Sequence, residues 1–204
     1  MAADQVQQVI DALRLGRPVL LPTDTVYGLC AAADENSVRR LYELKGRPEA
    51  QPTALLAASI EALLRLVPEL HGRGEALARA LLPGPYTLVL TNPAQRLAWL
   101  SGVDPRKIGI RIPTLAPAAR RVIDAVGAVA ATSANEPGEP TGASLEDVPG
   151  RIRALCGAEL DCGRLPGVAS TVIDFTGARP VVIREGAASS ADAIARASVV
   201  VANP

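Results

Sequence analysis

Gly16-Arg17-Pro18-Val19-Leu20-Leu21-Pro22-Thr23-Asp24-Thr25-Val26-Tyr27-Gly28 is the stretch that decides the fold of this 204-residue chain. Val19 to Leu21 has the length and composition of a buried strand. Pro22 cannot continue a central ladder, and three hydroxyls and a carboxylate follow within five residues. In an open α/β sheet, ligands sit just outside strand ends of this kind. On pattern alone, a decorated turn explains the stretch equally well, so its meaning depends on what flanks it.

Upstream, Asp4 and Gln7 resemble a capping pair, and Val6, Ile10 and Leu13 repeat at helical spacing until Gly16. Downstream, Asn36 or Ser37 is placed to cap a second helix bearing Val38, Leu41 and Tyr42. Lys45 falls one turn beyond that face, and Gly46 is suited to end the helix, delivering Lys45 and Arg47 to a loop. The spacing predicts strands over 53–58, 87–90, 107–112, 128–131, 170–175 and 180–183. It predicts helices over 60–67, 75–82, 118–126, about 145–155 and 191–197, with a terminal strand over 198–201. The alternation indicates an α/β fold in one domain over 1–204, and short connections such as that at Gly177 favour hairpins, hence a mixed β-sheet flanked by helices.

Charge narrows the partners. Lys and Arg number 21, Asp and Glu 21, so no global field attracts nucleic acid or an anionic membrane, and small molecules are expected instead. No apolar run approaches membrane-spanning length. Met1-Ala2-Ala3-Asp4 lacks the regions of a signal peptide, and Cys30, Cys156 and Cys162 lack metal-type spacing. A reducing cytoplasm is therefore expected.

The reactive residues collect at strand ends: Thr23 and Thr25, Lys45 and Arg47, Arg111, Thr132, Ser133 and Asn135, Ser170 and Thr171, Arg184. Isolated cations beside hydroxyl and amide groups suit a multiply charged, oxygen-rich anion. Arg111 and Arg184 each end an apolar run, which sets them apart from solubilising surface charge. Asp24 is placed either to bind Mg²⁺ through water or to cap its own turn. Tyr27 is balanced between ring packing and ligand contact. The single His, His71, lies in an expected interhelix turn, which removes the base of a Ser-His-Asp device. Phosphate-loop and dinucleotide fingerprints are absent from the sequence.

Taken together, several short motifs resemble the threonylcarbamoyl-AMP synthase family, the YrdC-like proteins. They are Pro22 to Leu29, Lys45-Gly46-Arg47-Pro48, Pro83-Gly84-Pro85-Tyr86-Thr87, Gly109 to Pro113, Thr132-Ser133-Ala134-Asn135, Ser170-Thr171-Val172 and Ile183-Arg184-Glu185-Gly186. In that family the Lys-x-Arg and Ser-x-Asn pairs accompany synthase activity, and a related group of uncertain role lacks them; here both pairs are present.

The resemblance implies a twisted mixed sheet with a deep cationic cleft. It implies that L-threonine, bicarbonate (or CO₂) and ATP yield threonylcarbamoyl-adenylate and pyrophosphate, and that a separate transferase carries the group to tRNA. By the same analogy Lys45 and Arg47 would neutralise the phosphates, with Mg²⁺ held by ATP. Thr132, Ser133, Asn135 and Arg184 would hold the adenylate. Arg111 would grip threonine's carboxylate, with Thr23, Thr25, Tyr27, Gln51 and Ser170 around the amino acid. Two positions depart from the family pattern: Gln51 stands where many relatives have His, and Glu136-Pro137 precedes Gly138 where relatives often have Ser. They bear on affinity and amino-acid choice more than on reaction type. The chain is expected to lack the extra C-terminal domain of longer relatives. The rival readings are an RNA-binding or ribosome-assembly module, with weak tRNA contact through the same cleft, and then a hydrogenase-maturation type of carbamoyl-adenylate former.

Overall fold

The computed structural model describes residues 2–201. Helix α1 (Ala2–Arg14) leads into β1 (Val19–Pro22) and β2 (Tyr27–Ala32), an antiparallel hairpin whose loop is Thr23 to Val26. Then come α2 (Glu35–Lys45), β3 (Ala54–Ala57), α3 (Ile60–Leu66), α4 (Arg73–Leu81) and β4 (Tyr86–Thr91). The second half runs β5 (Lys107–Arg111), α5 (Pro117–Val126), β6 (Ala128–Ser133), α6 (Gly150–Leu155) and β7 (Ala158–Glu159). It closes with β8 (Thr171–Asp174), β9 (Val181–Arg184) and α7 (Ser190–Val201). All nine strands form one mixed sheet in the order β7-β1-β2-β6-β3-β5-β4-β8-β9.

The local reasons for these elements are ordinary, and several differ from expectation. Pro22 is the last residue of β1, opposite Tyr27, and β2 and β7 were not expected: β2 takes Tyr27 and Gly28 out of the expected polar loop because it is paired on both sides, with β1 and β6. Asp4 lies inside the first turn of α1 rather than at its cap. The cap of α2 is Asp34, whose Oδ1 accepts from the Ser37 N–H at 2.9 Å and whose Oδ2 accepts from the Ser37 hydroxyl at 2.6 Å. The helix predicted around 145–155 is confined to α6, because Asp147 accepts N–H bonds from Ala143 and Ser144 in a turn and Pro149 precedes the first helical residue. Residues 198–201 continue α7 instead of forming a strand: Ala193 and Ala197, one turn apart, are buried where α7 packs on α4, and Arg196 donates to the Ala80 carbonyl.

Because side chains alternate across a strand, register assigns each residue to a face. Leu20, Tyr27, Leu29 and Ala31 pack with α2 and α6, while Leu55, Leu88, Ile108, Ile110 and Ile173 pack with α3, α4 and α7. On the opposite face, α1 and α5 cover Val19, Leu21, Cys30, Leu56 and Val129. That second layer stops near β3. Beyond it, Gly109, Val89, Thr87, Val172 and Asp174 share a face with no helix over them, and an open cleft results.

Candidate active site

The cleft has a volume of about 770 Å³, in the range of small-molecule sites. Its floor is made of minimal side chains: Gly28, Ala54, Gly109 and Ala131. Along β5 it extends from Lys107 to Arg111, about 13 Å at the rise of an extended strand. Pairing of Ala54 with Ala131 and of Leu56 with Arg111 places Ser133 toward one end and Arg111 toward the other.

At the first end, α2 buries Lys45 just before Gly46 turns the chain through a left-handed conformation, φ 64°. Lys45 Nζ donates to the Ser133 carbonyl and to Asn135 Oδ1, the latter at 2.9 Å, and the Ser133 hydroxyl donates to the same Oδ1 at 2.6 Å. Burial, reinforced by the Arg47 charge, brings the Lys45 ammonium down from 10.5 to about 8. Arg47 bonds through all three nitrogens: Nε to Gln51 Oε1 at 2.8 Å, Nη1 to the Thr132 hydroxyl at 2.8 Å, and Nη2 to the Pro52 carbonyl at 2.7 Å. Thr132 and Ser133, expected in a loop, are the last residues of β6.

At the other end Arg111 is paired with Asp24, and its Nη2 also donates to the Thr25 hydroxyl at 2.8 Å. Asp24 spends its second oxygen on the Thr114 N–H at 3.1 Å rather than on its own turn. Arg184 donates through Nε and Nη2 to the Ser170 carbonyl at 3.0 and 2.8 Å, and the Ser170 hydroxyl bonds Thr87 Oγ1 at 2.9 Å. A bulge in the β8/β9 ladder between Val172 and Ile173 accompanies this placement of Arg184. Burial lowers the Arg184 guanidinium, and the charges of Arg111 and Arg47 lower it further. The cations repel one another, and an anion between them relieves that repulsion.

Of the sequence-identified residues, the structure brings Thr23, Lys45, Arg47, Gln51, Arg111, Thr132, Ser133, Asn135, Ser170 and Arg184 to the cleft wall. Thr25 sits just behind it, fully buried, on Arg111. Tyr27 is elsewhere: its ring lies in the core beside α2, and its hydroxyl donates to Asp161 and the Gly163 carbonyl. Period-two alternation explains the difference, since Gly28 faces the cleft and its neighbour must face away. Thr171 also points away, to the Ala188 carbonyl. Glu136 is held by Arg151 at 2.9 Å.

Sequence reading missed Thr53, Thr87, Ser101, Asp104, Lys107 and Asp174, all on the wall. Among the described residues, three buried side-chain polar atoms have no partner: Thr53 Oγ1, Ser101 Oγ and Arg111 Nε, and all three belong to cleft-lining residues. No Cys or His lines the cleft; burial holds the Cys30 thiol near 12, and His71 bonds Glu75. Among the described residues no three metal-ligating side chains come together. Of the lining carboxylates, Asp174 is tied to Lys107 at 2.8 Å. The other lining carboxylate, Asp104, accepts from the Arg106 N–H at 3.1 Å through Oδ1.

A mixed sheet with part of one face open and Lys45, Arg47, Arg111 and Arg184 on the wall of the cleft defines an α/β protein with a polar small-molecule-sized cleft. The chain belongs to the Sua5, YciO and YrdC family, whose model, described as "Telomere recombination", matches residues 11–186. A relative from Mycobacterium leprae, provisionally named as a threonylcarbamoyl-AMP synthase, is 34% identical over 188 residues, covering 91% of this chain and 84% of its own. The threonylcarbamoyl-AMP synthase of Pyrococcus abyssi is 39% identical over 187 residues, and the match covers 85% of this chain but 52% of that longer protein. The structure of P. abyssi Sua5 complexed with L-threonine superposes with a TM-score of 0.80 at 36% identity, over 89% of this chain and 54% of that one. Escherichia coli YciO superposes with a TM-score of 0.80 at 25% identity, over 93% and 92%. Among the described residues no helix is long and apolar enough to cross a membrane.

Proposed function

We propose that this protein is a nucleotidyltransferase that makes L-threonylcarbamoyl-adenylate and pyrophosphate from L-threonine, bicarbonate (or CO₂) and MgATP. The observation that carries the reading is the convergence of Lys45, Arg47, Arg111 and Arg184 on one cleft, whose lining contains no Cys or His. Relatives named as synthases support it, as does the threonine complex of a structural neighbour.

The chemistry asks for alignment rather than covalent help. Threonine's amine and bicarbonate give a carbamate and water. A carbamate oxygen then forms a bond to the α-phosphorus as the bond to the bridging oxygen breaks and pyrophosphate leaves. Two anions must be held together while charge builds on the leaving group. Lys45 and Arg47, fixed to Asn135 and Thr132, are disposed to take the phosphates, with Ser133 and Asn135 beside the adenylate. Arg111, clamped by Asp24 and Thr25, lines the other end of the cleft, where it is disposed to meet threonine's carboxylate. Thr87 orients Ser170, and Arg184 is held on the Ser170 carbonyl between the two ends. Mg²⁺ enters with ATP as part of the substrate. The product is a mixed anhydride, which a separate transferase must consume to modify tRNA, in the cytoplasm where these substrates meet.

Pyrophosphate release from MgATP with and without L-threonine and bicarbonate tests the reading. Release should need both and be lost in Lys45→Ala. A folded, ATP-binding protein that shows no threonine-dependent release would refute it, and salt-sensitive RNA binding without turnover would replace it.

A further inference from the structure

Arg47 is a donor-only group with five N–H bonds, and the protein takes one at each nitrogen. One N–H therefore remains on Nη1 and one on Nη2, which is the complement needed for two-point contact with a phosphate. Two of the three anchors do not depend on side-chain choice in the loop, since one is the Pro52 carbonyl and the other is Thr132 on β6. The third is Gln51. Its carboxamide orientation follows from its partner: only the oxygen can accept from Arg47 Nε, which leaves the NH₂ outward.

The backbone under Gln51 is itself fixed. Its N–H bonds the Pro48 carbonyl at 3.0 Å, and its carbonyl accepts from the Tyr42 hydroxyl at 3.0 Å. Gly102 packs behind the same loop so closely that a Cβ there would lie 2.4 Å from the Ala50 carbonyl oxygen. An exposed side chain on a pinned backbone, bonded to one cleft-lining cation, is built to orient that cation.

We infer that Gln51 is the positioning residue for the Arg47 guanidinium and acts on the polyphosphate through it, rather than contacting threonine. The inference rests on the synthase reading for the identity of the anion, and it departs from the role in threonine binding that the family resemblance implied for this position. Gln51→Leu keeps the size and removes the acceptor, and because the side chain is exposed the variant should fold normally.

The test is calorimetric binding of inorganic pyrophosphate, MgATP and L-threonine to wild type, Gln51→Leu, Arg47→Lys and the double variant, with steady-state KM values alongside. Gln51→Leu should weaken pyrophosphate and MgATP roughly five- to tenfold, the scale of one charge-assisted bond, and leave threonine within about twofold. In the Arg47→Lys background, which has no Nε–H, Gln51→Leu should change pyrophosphate affinity by less than about twofold. A shift in threonine alone, equal effects in both backgrounds, unchanged affinity for every ligand, or wild type that binds no pyrophosphate would each overturn the inference. Coupled pyrophosphate binding without threonine-dependent turnover would sink the synthase reading and leave the Gln51 inference standing.

Discussion

Polyphosphate binding should take up a proton at Lys45. The ammonium falls from 10.5 to about 8 because burial strips its water and Arg47 repels it. That difference corresponds to roughly 3 kcal/mol against the charged form, an upper value because Ser133 and Asn135 accept two of its N–H bonds. For stability the sign is fixed by the lowered value. Below about pH 8 both folded and unfolded states hold the proton and the penalty is complete. Between about 8 and 10.5 the unfolded state binds more protons, so stability rises with pH. For binding the sign reverses, because an anion beside Lys45 restores the charged form. At pH 8 about half a proton should be taken up per MgATP bound, and above that affinity should fall about tenfold per pH unit. ATP's terminal phosphate titrates near 6 and does not contribute there. Calorimetry at pH 8 in buffers of different ionisation enthalpy measures the uptake, with Lys45→Arg as the control that abolishes it. A binding enthalpy independent of buffer, or affinity flat from about pH 7 to 9, would refute the reasoning.

Three further outcomes follow from the geometry. Tyr27→Phe removes bonds to Asp161 and Gly163 and the acceptor for the Cys162 N–H; it should cost about 1–3 kcal/mol in urea unfolding and leave the threonine KM unchanged, and a raised KM would return Tyr27 to the ligand. Gly109→Leu projects a side chain over a floor whose nearest atoms, on Ala54 and Thr87, are 3.8 Å from a Cβ; the variant should fold and lose MgATP binding by titration. Ser101→Ala deletes a buried hydroxyl that has no hydrogen-bond partner in the protein; the variant should gain about 1 kcal/mol, or roughly 2–4 °C in melting temperature, and a loss of stability would show that the hydroxyl is satisfied.

The strands were legible where apolar runs met punctuation, as at Ile112-Pro113, although Pro22 itself stays in β1 opposite Tyr27, and the short Gly177 turn correctly implied a mixed sheet. What failed was decided at a distance. Strand β7 is two residues long and exists only because Ala158 and Glu159 lie beside Val19 and Leu20; two residues carry no periodicity. Val199 and Val200 read as strand by propensity, yet burial of Ala193 and Ala197 on α4 holds the segment helical. At α2 the expected cap was Asn36 or Ser37, and only geometry shows that Asp34 caps the helix and holds both groups of Ser37.

The site was legible at its rim and hidden on its floor, and the sheet gives one reason for both. A strand-end Lys, Arg or Asn stands out because an apolar run precedes it. Thr87 sits inside β4, Lys107 opens β5 ahead of its apolar run and Asp174 closes β8, and each reads as the solvated side of an amphipathic strand. They matter because α1 and α5 cover only part of their face. An uncovered, fully apolar half-sheet would be an association surface. This one carries Thr87, Lys107, Arg111 and Asp174, joined in pairs with Ser170 and Asp24, over a floor too small to fill the space. Those pairs keep the open face soluble while the small floor keeps it concave.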